Sequence, residues 1–131
     1  MKIDFDKIDA KEKNKIINEM KEPLYVINEC VAFTKSYILN FTPFNSWIIK
    51  YNDVKKVKFC VQFKLQPNFH GFIKVIRIFD GCKWNKFVIN QSSLPFFYYQ
   101  DVEIINKISK IIKDKNKDAI IKETRIKKLK W

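Results

Sequence analysis

The sequence is poor in glycine, histidine and arginine. Its 131 residues include two glycines, one histidine and, among 26 basic residues, only two arginines. With glycine confined to Gly71 and Gly81, neither the phosphate-binding loop G-x-x-x-x-G-K-[ST] nor the dinucleotide-binding G-x-G-x-x-G can be written. The patterns G-x-S-x-G and H-E-x-x-H and the EF-hand loop are also absent. The common sequence signatures of nucleotide binding, serine hydrolysis, zinc proteolysis and calcium binding are therefore excluded.

Cysteine and long apolar runs are scarce as well. The three cysteines, Cys30, Cys60 and Cys82, are odd in number and far apart, which predicts a reducing compartment and no disulfide framework. There is no apolar run long enough for a membrane helix, and residues 1–4 lack the apolar stretch of a secretory signal. We therefore expect a cytoplasmic protein without a membrane partner. The preference for Lys over Arg is typical of an AT-rich genome, such as that of a virus, phage or other mobile element, in which case the host cytoplasm is expected.

Charge is concentrated in two parts of the chain. The formal net charge is +12, but residues 1–49 hold seven basic and seven acidic side chains. Residues 50–91 hold nine basic against two acidic, and residues 106–131 hold ten against three. The excess predicts an anionic partner that contacts these two blocks.

The N-terminal part is predicted to be helical. Asp9 is a candidate N-cap and Glu12 completes a capping box, which predicts a helix over Asp9–Lys21. From Pro23 to Phe41, apolar residues recur at spacings of three and four, which predicts a second helix. A strand pair is the competing interpretation, because this stretch is rich in Val, Ile, Phe and Tyr.

The middle of the chain has strand patterns. Trp47–Tyr51 is a short strand, and from Val54 to Gln66 apolar and polar residues alternate strictly. Phe72–Phe79 and Cys82–Ile89 flank Asp80-Gly81, the preferred dipeptide of a two-residue type I′ hairpin, which would place Arg77 opposite Trp84.

A C-terminal helix is predicted over about Asp101–Lys113, followed by a tail from Ala119 that fits a helix or a strand. A length of 131 residues with 47% hydrophobic content suits one domain. We expect an α+β fold with N-terminal helices over about 1–45, an antiparallel meander of three to four strands over about 47–90, and a C-terminal helix on one face with a basic tail over about 100–131.

The candidate binding residues come from the two basic blocks. Alternation places Lys56, Lys58 and Lys64 on one side of a strand, where successive positions of that side lie about 7 Å apart, a spacing suited to successive phosphates. The plainer interpretation is a solvated sheet face, or an edge strand protected by lysines. The full set of predicted contacts is Lys55, Lys56, Lys58, Lys64, Arg77, Trp84, Lys86, Arg125, Lys127 and Lys128.

Catalytic and metal chemistry have little support in the sequence. His70 is the single histidine, in a predicted loop, and no spacing nominates a second catalytic group. It could serve a ribonuclease-like toxin, but we expect a non-enzymatic protein without cofactor or metal. The favoured hypothesis is broad, salt-dependent binding of RNA or DNA, because arginines for guanine contacts are rare. The alternative is a small inhibitor or adaptor, of an anti-defence or immunity type, that binds a nucleic-acid-handling enzyme.

Overall fold

The computed structural model describes residues 8–42, 45–66, 69–95 and 97–123. Its elements are α1 (Ala10–Met20), β1 (Tyr25–Ile27), β2 (Val31–Phe33), β3 (Tyr37–Asn40), β4 (Trp47–Lys50), β5 (Lys56–Gln66), β6 (Phe69–Phe79), β7 (Trp84–Ser92), α2 (Tyr99–Lys115) and β8 (Ile120–Glu123). Two helices with eight strands in two sheets confirm the α+β class. Within these ranges no helix has the length and apolar content needed to cross a bilayer.

The first helix forms where the capping signal predicted it. The Asp9 carboxylate accepts a hydrogen bond from the Glu12 backbone N–H at 2.8 Å, which satisfies one of the free donors at the helix start. The Glu12 side chain contributes to a different contact, since its carboxylate accepts from the hydroxyl of Tyr37 at 3.0 Å. Glu12, the second residue of the predicted capping box, therefore attaches the helix to the first sheet through Tyr37.

The predicted second helix over 23–41 is wrong. This segment forms β1, β2 and β3, so the competing strand interpretation was closer, with three strands in place of two. Asn28 and Glu29 turn the chain between β1 and β2 with φ of 51° and 61°. Every residue of β2 and β3 is buried, which removes the alternation that normally reveals a strand.

The first sheet is antiparallel in the order β1–β2–β3–β4 and has both faces covered. Ile16 of α1 packs against Tyr37, Leu39 and Ile48 on one face. The other face contributes Phe33, Ile38, Trp47 and Ile49 to the central core. A single 3-10 turn at Tyr51–Asp53 then leads out of this sheet towards β5.

The second sheet has the order β7–β6–β5–β8, so β5 lies in its interior. β5 and β6 pair antiparallel over 11 residues each, whereas β8 pairs parallel to β5. One face of the sheet, here called the inner face, shares the central core with α2. The core residues from these elements are Val57, Phe59, Ile76, Ile78, Phe87, Ile89, Ile105, Ile108 and Ile112. The opposite, outer face is left for other contacts.

The hairpin between β6 and β7 has a longer loop than Asp80-Gly81 predicts. Phe79 pairs with Trp84 and Arg77 pairs with Lys86, so the predicted pairing of Arg77 with Trp84 is wrong. The cause is the Asp80 side chain, which accepts hydrogen bonds at 2.9 Å from the backbone N–H groups of both Cys82 and Lys83. These bonds stabilise a four-residue loop and shift the register by two residues.

Side chains of the first sheet close the free edge of β7. The carbonyl oxygen of Lys86 accepts from the Asn45 amide at 3.1 Å and from the Trp47 indole N–H at 3.3 Å. The carbonyl of Ile89 accepts from the Asn28 amide at 2.8 Å. These bonds fix the two sheets against each other and satisfy backbone groups that an edge strand would otherwise leave free.

Candidate functional site

A row of four cationic residues crosses the outer face of the second sheet. Lys58 on β5 pairs with Lys122 on β8 and with Arg77 on β6, and Arg77 pairs with Lys86 on β7. Neighbouring strands lie about 4.8 Å apart, so the four side chains, here called the basic row, span about 14 Å. The core residues Val57, Phe59, Ile76, Ile78 and Phe87 alternate with them along the strands and point inward.

No acidic residue interrupts the described positions of this face. Those positions are Lys56, Lys58, Cys60 and Gln62 on β5, Ile73, Val75, Arg77 and Phe79 on β6, Trp84, Lys86 and Val88 on β7, and Ile120 and Lys122 on β8. Like charges directly opposite each other destabilise a sheet by roughly 0.2–1 kcal/mol per pair. The basic row therefore costs stability in the free protein, and an anion bound over it would offset that cost.

Aromatic rings lie next to the basic row. The Trp84 ring packs 5.1 Å from the ring of Phe79, at an interplanar angle of 38°. The ammonium of Lys58 lies 5.1 Å from the centroid of the same indole. Trp84 keeps 39% of its surface exposed, so one part of the ring remains open to a ligand. A planar ring beside cations is the combination that holds an unpaired base and its phosphate.

The position of β5 decides between two interpretations of its lysines. Lysines on an edge strand protect it from pairing with other chains. β5 lies between β6 and β8, however, and Lys56 and Lys58 fall in the stretch that pairs with both. Edge protection therefore does not account for these two side chains. If this face is only solvated, nothing offsets the repulsion between the cations of the row.

The other predicted contacts have different placements. Lys55 is exposed at the margin of the outer face, where its side chain lies against Gly81. The backbone of Lys64 lies on β5 opposite Gly71, but its side chain is outside the described part of the structure. Arg125, Lys127 and Lys128 also lie outside the described residues. The basic row contains four cations. Three of them, Lys58, Arg77 and Lys86, were predicted from sequence as contacts.

Lys122 is the member of the row that sequence reasoning missed. It was counted only as part of a basic tail, because the segment after Ala119 fitted a helix or a strand equally well. Parallel pairing of β8 with β5 brings it beside Lys58, which lies more than sixty residues earlier in the chain. The segment Ile120–Glu123 reads Ile-Ile-Lys-Glu and does not alternate in polarity, so no local pattern marked Lys122 as part of this face.

Arg77 contains a polar atom without a partner among the described residues. Its Nε is buried and makes no hydrogen bond there. A buried unpaired donor costs roughly 1–3 kcal/mol, so the guanidinium is held in place by its surroundings and not by an acceptor. Among the described residues, no carboxylate therefore competes with an anion for the Arg77 charge.

Lys74 belongs to a different cluster and is removed from the basic surface. Its side chain is fully buried, its ammonium donates to the hydroxyl of Ser92, and it lies 4.4 Å from the Tyr98 ring centroid. Burial lowers the pKa of Lys74, an effect that the nearby Asp101 carboxylate opposes. Asp101 also accepts from the Tyr98 backbone N–H at 2.7 Å and from the Asn90 amide. The cluster joins the start of α2 to β6 and β7.

The histidine and the cysteines do not assemble a reactive site in the described residues. The sequence placed His70 in a loop, whereas its backbone belongs to β6 opposite Leu65, and its side chain is outside the described part. Cys30, Cys60 and Cys82 form no disulfide in the described part of the chain. Across the described ranges no group of three or more His, Cys, Asp or Glu residues could hold a metal ion.

The comparisons with known proteins add no functional information. No family model matches the chain, and neither the curated proteins nor the solved structures contain a significant match. Function must therefore be argued from the site alone.

Proposed function

We propose that this protein binds single-stranded nucleic acid on the outer face of its second sheet without acting as an enzyme on it. The observation that carries the proposal is the basic row, four cations on four adjacent strands with an open indole beside them. Phosphates would lie over Lys58, Arg77, Lys86 and Lys122, and an unstacked base would lie on Trp84. A base within a duplex is stacked between its neighbours and cannot lie on Trp84, so the indole favours a single strand over a duplex.

Binding of this kind is broad in sequence and sensitive to salt. Three of the four row cations are lysines, which act as point charges, and one arginine allows at most one bidentate base contact. For single strands the logarithm of affinity falls with the logarithm of salt by about 0.7 per phosphate contact. Four contacts therefore give a slope of about −2.8 from the row alone.

The decisive experiment replaces the three lysines of the row with glutamine. In Lys58→Gln/Lys86→Gln/Lys122→Gln we expect the magnitude of the salt slope to fall by about 2, with loss of most of the low-salt affinity for an oligonucleotide. Fluorescence anisotropy over a salt series measures both quantities. The matched control removes three exposed lysines elsewhere, Lys21→Gln/Lys107→Gln/Lys110→Gln. Equal losses in the two triple variants would mean that total charge, and not this face, binds the strand.

A second candidate function rests on a different surface. At the far end of the β5–β6 pair, Phe63 and Leu65 are 61% and 71% exposed, and Phe63 packs 5.3 Å from the ring of Phe72. Clustered apolar side chains that project from a sheet mark protein-interaction sites. They support a small inhibitor or adaptor that binds a nucleic-acid-handling enzyme. The test is whether a protein partner remains bound after nuclease treatment. If the Phe63→Ser/Leu65→Ser variant loses this partner and the row variant keeps it, the second function is favoured over the first.

A further inference from the structure

A large cleft lies beside α1. It has a volume of about 980 Å³ and is here called the α1 cleft. Its walls come from α1, the turn between β2 and β3, the end of β4 with the 3-10 turn, and the last residue of α2. The lining residues are Asp9, Lys11, Glu12, Asn14, Lys15, Asn18, Lys35, Ser36, Tyr37, Lys50, Tyr51, Asn52 and Lys115. Five lysines therefore face two carboxylates.

Both carboxylates are already occupied by the protein. Asp9 accepts from the Glu12 backbone N–H, and Glu12 accepts from the Tyr37 hydroxyl at 3.0 Å and pairs with the Lys50 ammonium at 3.3 Å. Burial, together with the hydrogen bond to Glu12, raises the pKa of Tyr37 to about 12, so its hydroxyl remains a donor at neutral pH. Lys11, Lys35 and Lys115 have no carboxylate partner in the described part of the chain, and all three are exposed.

The chemistry of the lining favours phosphate over bases. Its two aromatic residues, Tyr37 and Tyr51, are only 3% and 4% exposed, so neither offers a face for stacking. Apart from the two carboxylates, the remaining groups are amines, the amides of three asparagines and a hydroxyl, all of which can donate to phosphate oxygens. The α1 cleft thus has cations and donors but no open ring, in contrast to the basic row.

A short, well-anchored corner joins the cleft to the outer face. Lys55 at the margin of that face lies five positions after Lys50 in the cleft, at most about 18 Å of chain. The Asn116 amide, directly after Lys115, donates to the carbonyls of Tyr51 and Val54 at 2.9 and 3.0 Å. The Lys55 carbonyl accepts from the Ile120 backbone N–H at 3.0 Å, which ties the same corner to β8.

We propose that the α1 cleft binds the phosphate backbone of the same nucleic acid strand where it continues past the basic row and round the corner at residues 51–55. The inference rests on the proposed function and extends it, because it makes binding depend on strand length. A strand of about four nucleotides reaches the row alone, whereas one of about sixteen nucleotides occupies both surfaces. The row selects the position of a base, and the cleft adds electrostatic affinity without reading sequence.

The test compares the two strand lengths, as oligothymidylates, on a cleft variant, Lys35→Gln/Lys115→Gln. For about sixteen nucleotides we expect a roughly tenfold loss of affinity at low salt and a salt slope smaller in magnitude by about 1.4. For about four nucleotides we expect no change beyond twofold. The control Lys21→Gln/Lys110→Gln removes the same charge elsewhere and should leave both lengths near wild type. Thermal unfolding of each variant checks that the fold is intact.

A second measurement needs no substitution. An amine-acylating reagent followed by mass spectrometry should label Lys35 and Lys115 less when the long strand is bound, and unchanged with the short one. Unchanged labelling with the long strand, or a cleft variant that binds both lengths like wild type, overturns the inference while the row can still bind. A wild-type protein that binds neither length overturns the proposed function itself.

Discussion

The two basic surfaces of this protein acquire their charge in different ways. In the basic row, alternation along β5 and pairing across strands put the cations side by side, and no acid lies at the described positions of that face. In the α1 cleft, the cations come from four separate elements, and one of the two carboxylates, Glu12, is paired with Lys50. The segment 1–49 has no net charge, yet it provides much of this basic wall. Charge counted along a sequence therefore does not equal the charge that a surface presents.

The largest effect that distinguishes the two surfaces is expected from Trp84. In Trp84→Leu, loss of base stacking should weaken binding by about 1–3 kcal/mol, a factor of roughly 5 to 150, for short and long strands alike. Trp84→Phe retains a ring and should recover most of the affinity. Titration with both strand lengths measures the effect. A loss confined to long strands would place the stacked base away from the row.

A smaller effect concerns stability, and its sign should differ between the surfaces. Lys86→Gln relieves repulsion with Arg77 and should raise the free energy of unfolding by about 0.5 kcal/mol. Lys50→Gln removes the ion pair with Glu12. Because the Lys50 side chain is 60% exposed, we expect the free energy of unfolding to fall by only about 0.5 kcal/mol. Urea unfolding at low salt resolves the pair, and the difference should shrink as salt is added. If both substitutions changed the free energy of unfolding in the same direction, the proposed difference between the two surfaces would be contradicted.

The smallest effect is the pH dependence that Glu19 contributes on the α1 side. Burial alone would raise the pKa of Glu19, but hydrogen bonds from Ser36 and Thr34 and the nearby Lys15 hold it below its ordinary value of 4.5. Because the folded pKa is depressed, this contribution is present above about pH 4.5 and is lost as pH falls through the folded value.

The control for this dependence is Glu19→Gln, whose acid unfolding profile should be flatter than that of the wild type between pH 5 and pH 3 or so. Amide exchange should show the change in α1 and the β2–β3 turn first. If the second sheet lost protection before α1, Glu19 would not be the group responsible.

The elements that were predicted correctly from the sequence are those with one buried and one exposed face. β5 alternates because its outer face is open, and α1 and α2 are amphipathic because each packs on one side. The segment 23–41 was mistaken for a helix chiefly because every residue of β2 and β3 is buried, whereas in β1 Val26 is 45% exposed. With both faces buried, period two disappears, and apolar residues of three short strands fell at helical spacings by coincidence.

Parts of the site depended on pairings that no local pattern encodes. Lys58, Arg77 and Lys86 were predicted as contacts, but their alignment followed from a loop whose length is set by the Asp80 side chain. The place of Lys122 followed from parallel pairing with a strand far away in sequence. The α1 cleft was not predicted, because Glu12 binds Tyr37 and Lys50 only after the helix and sheet have packed.

The parallel pairing of β8 with β5 also has a consequence for the order of assembly. The hairpins of β5, β6 and β7 join residues near in sequence and can form early, whereas β8 must close a loop of more than fifty residues that contains α2. During synthesis, Lys56–Phe59 can therefore pair with β8 only after residues up to Glu123 have left the ribosome. Until then the nascent chain displays three of the four row cations, so binding to the ribosome's own RNA during translation would be weaker than binding by the finished sheet.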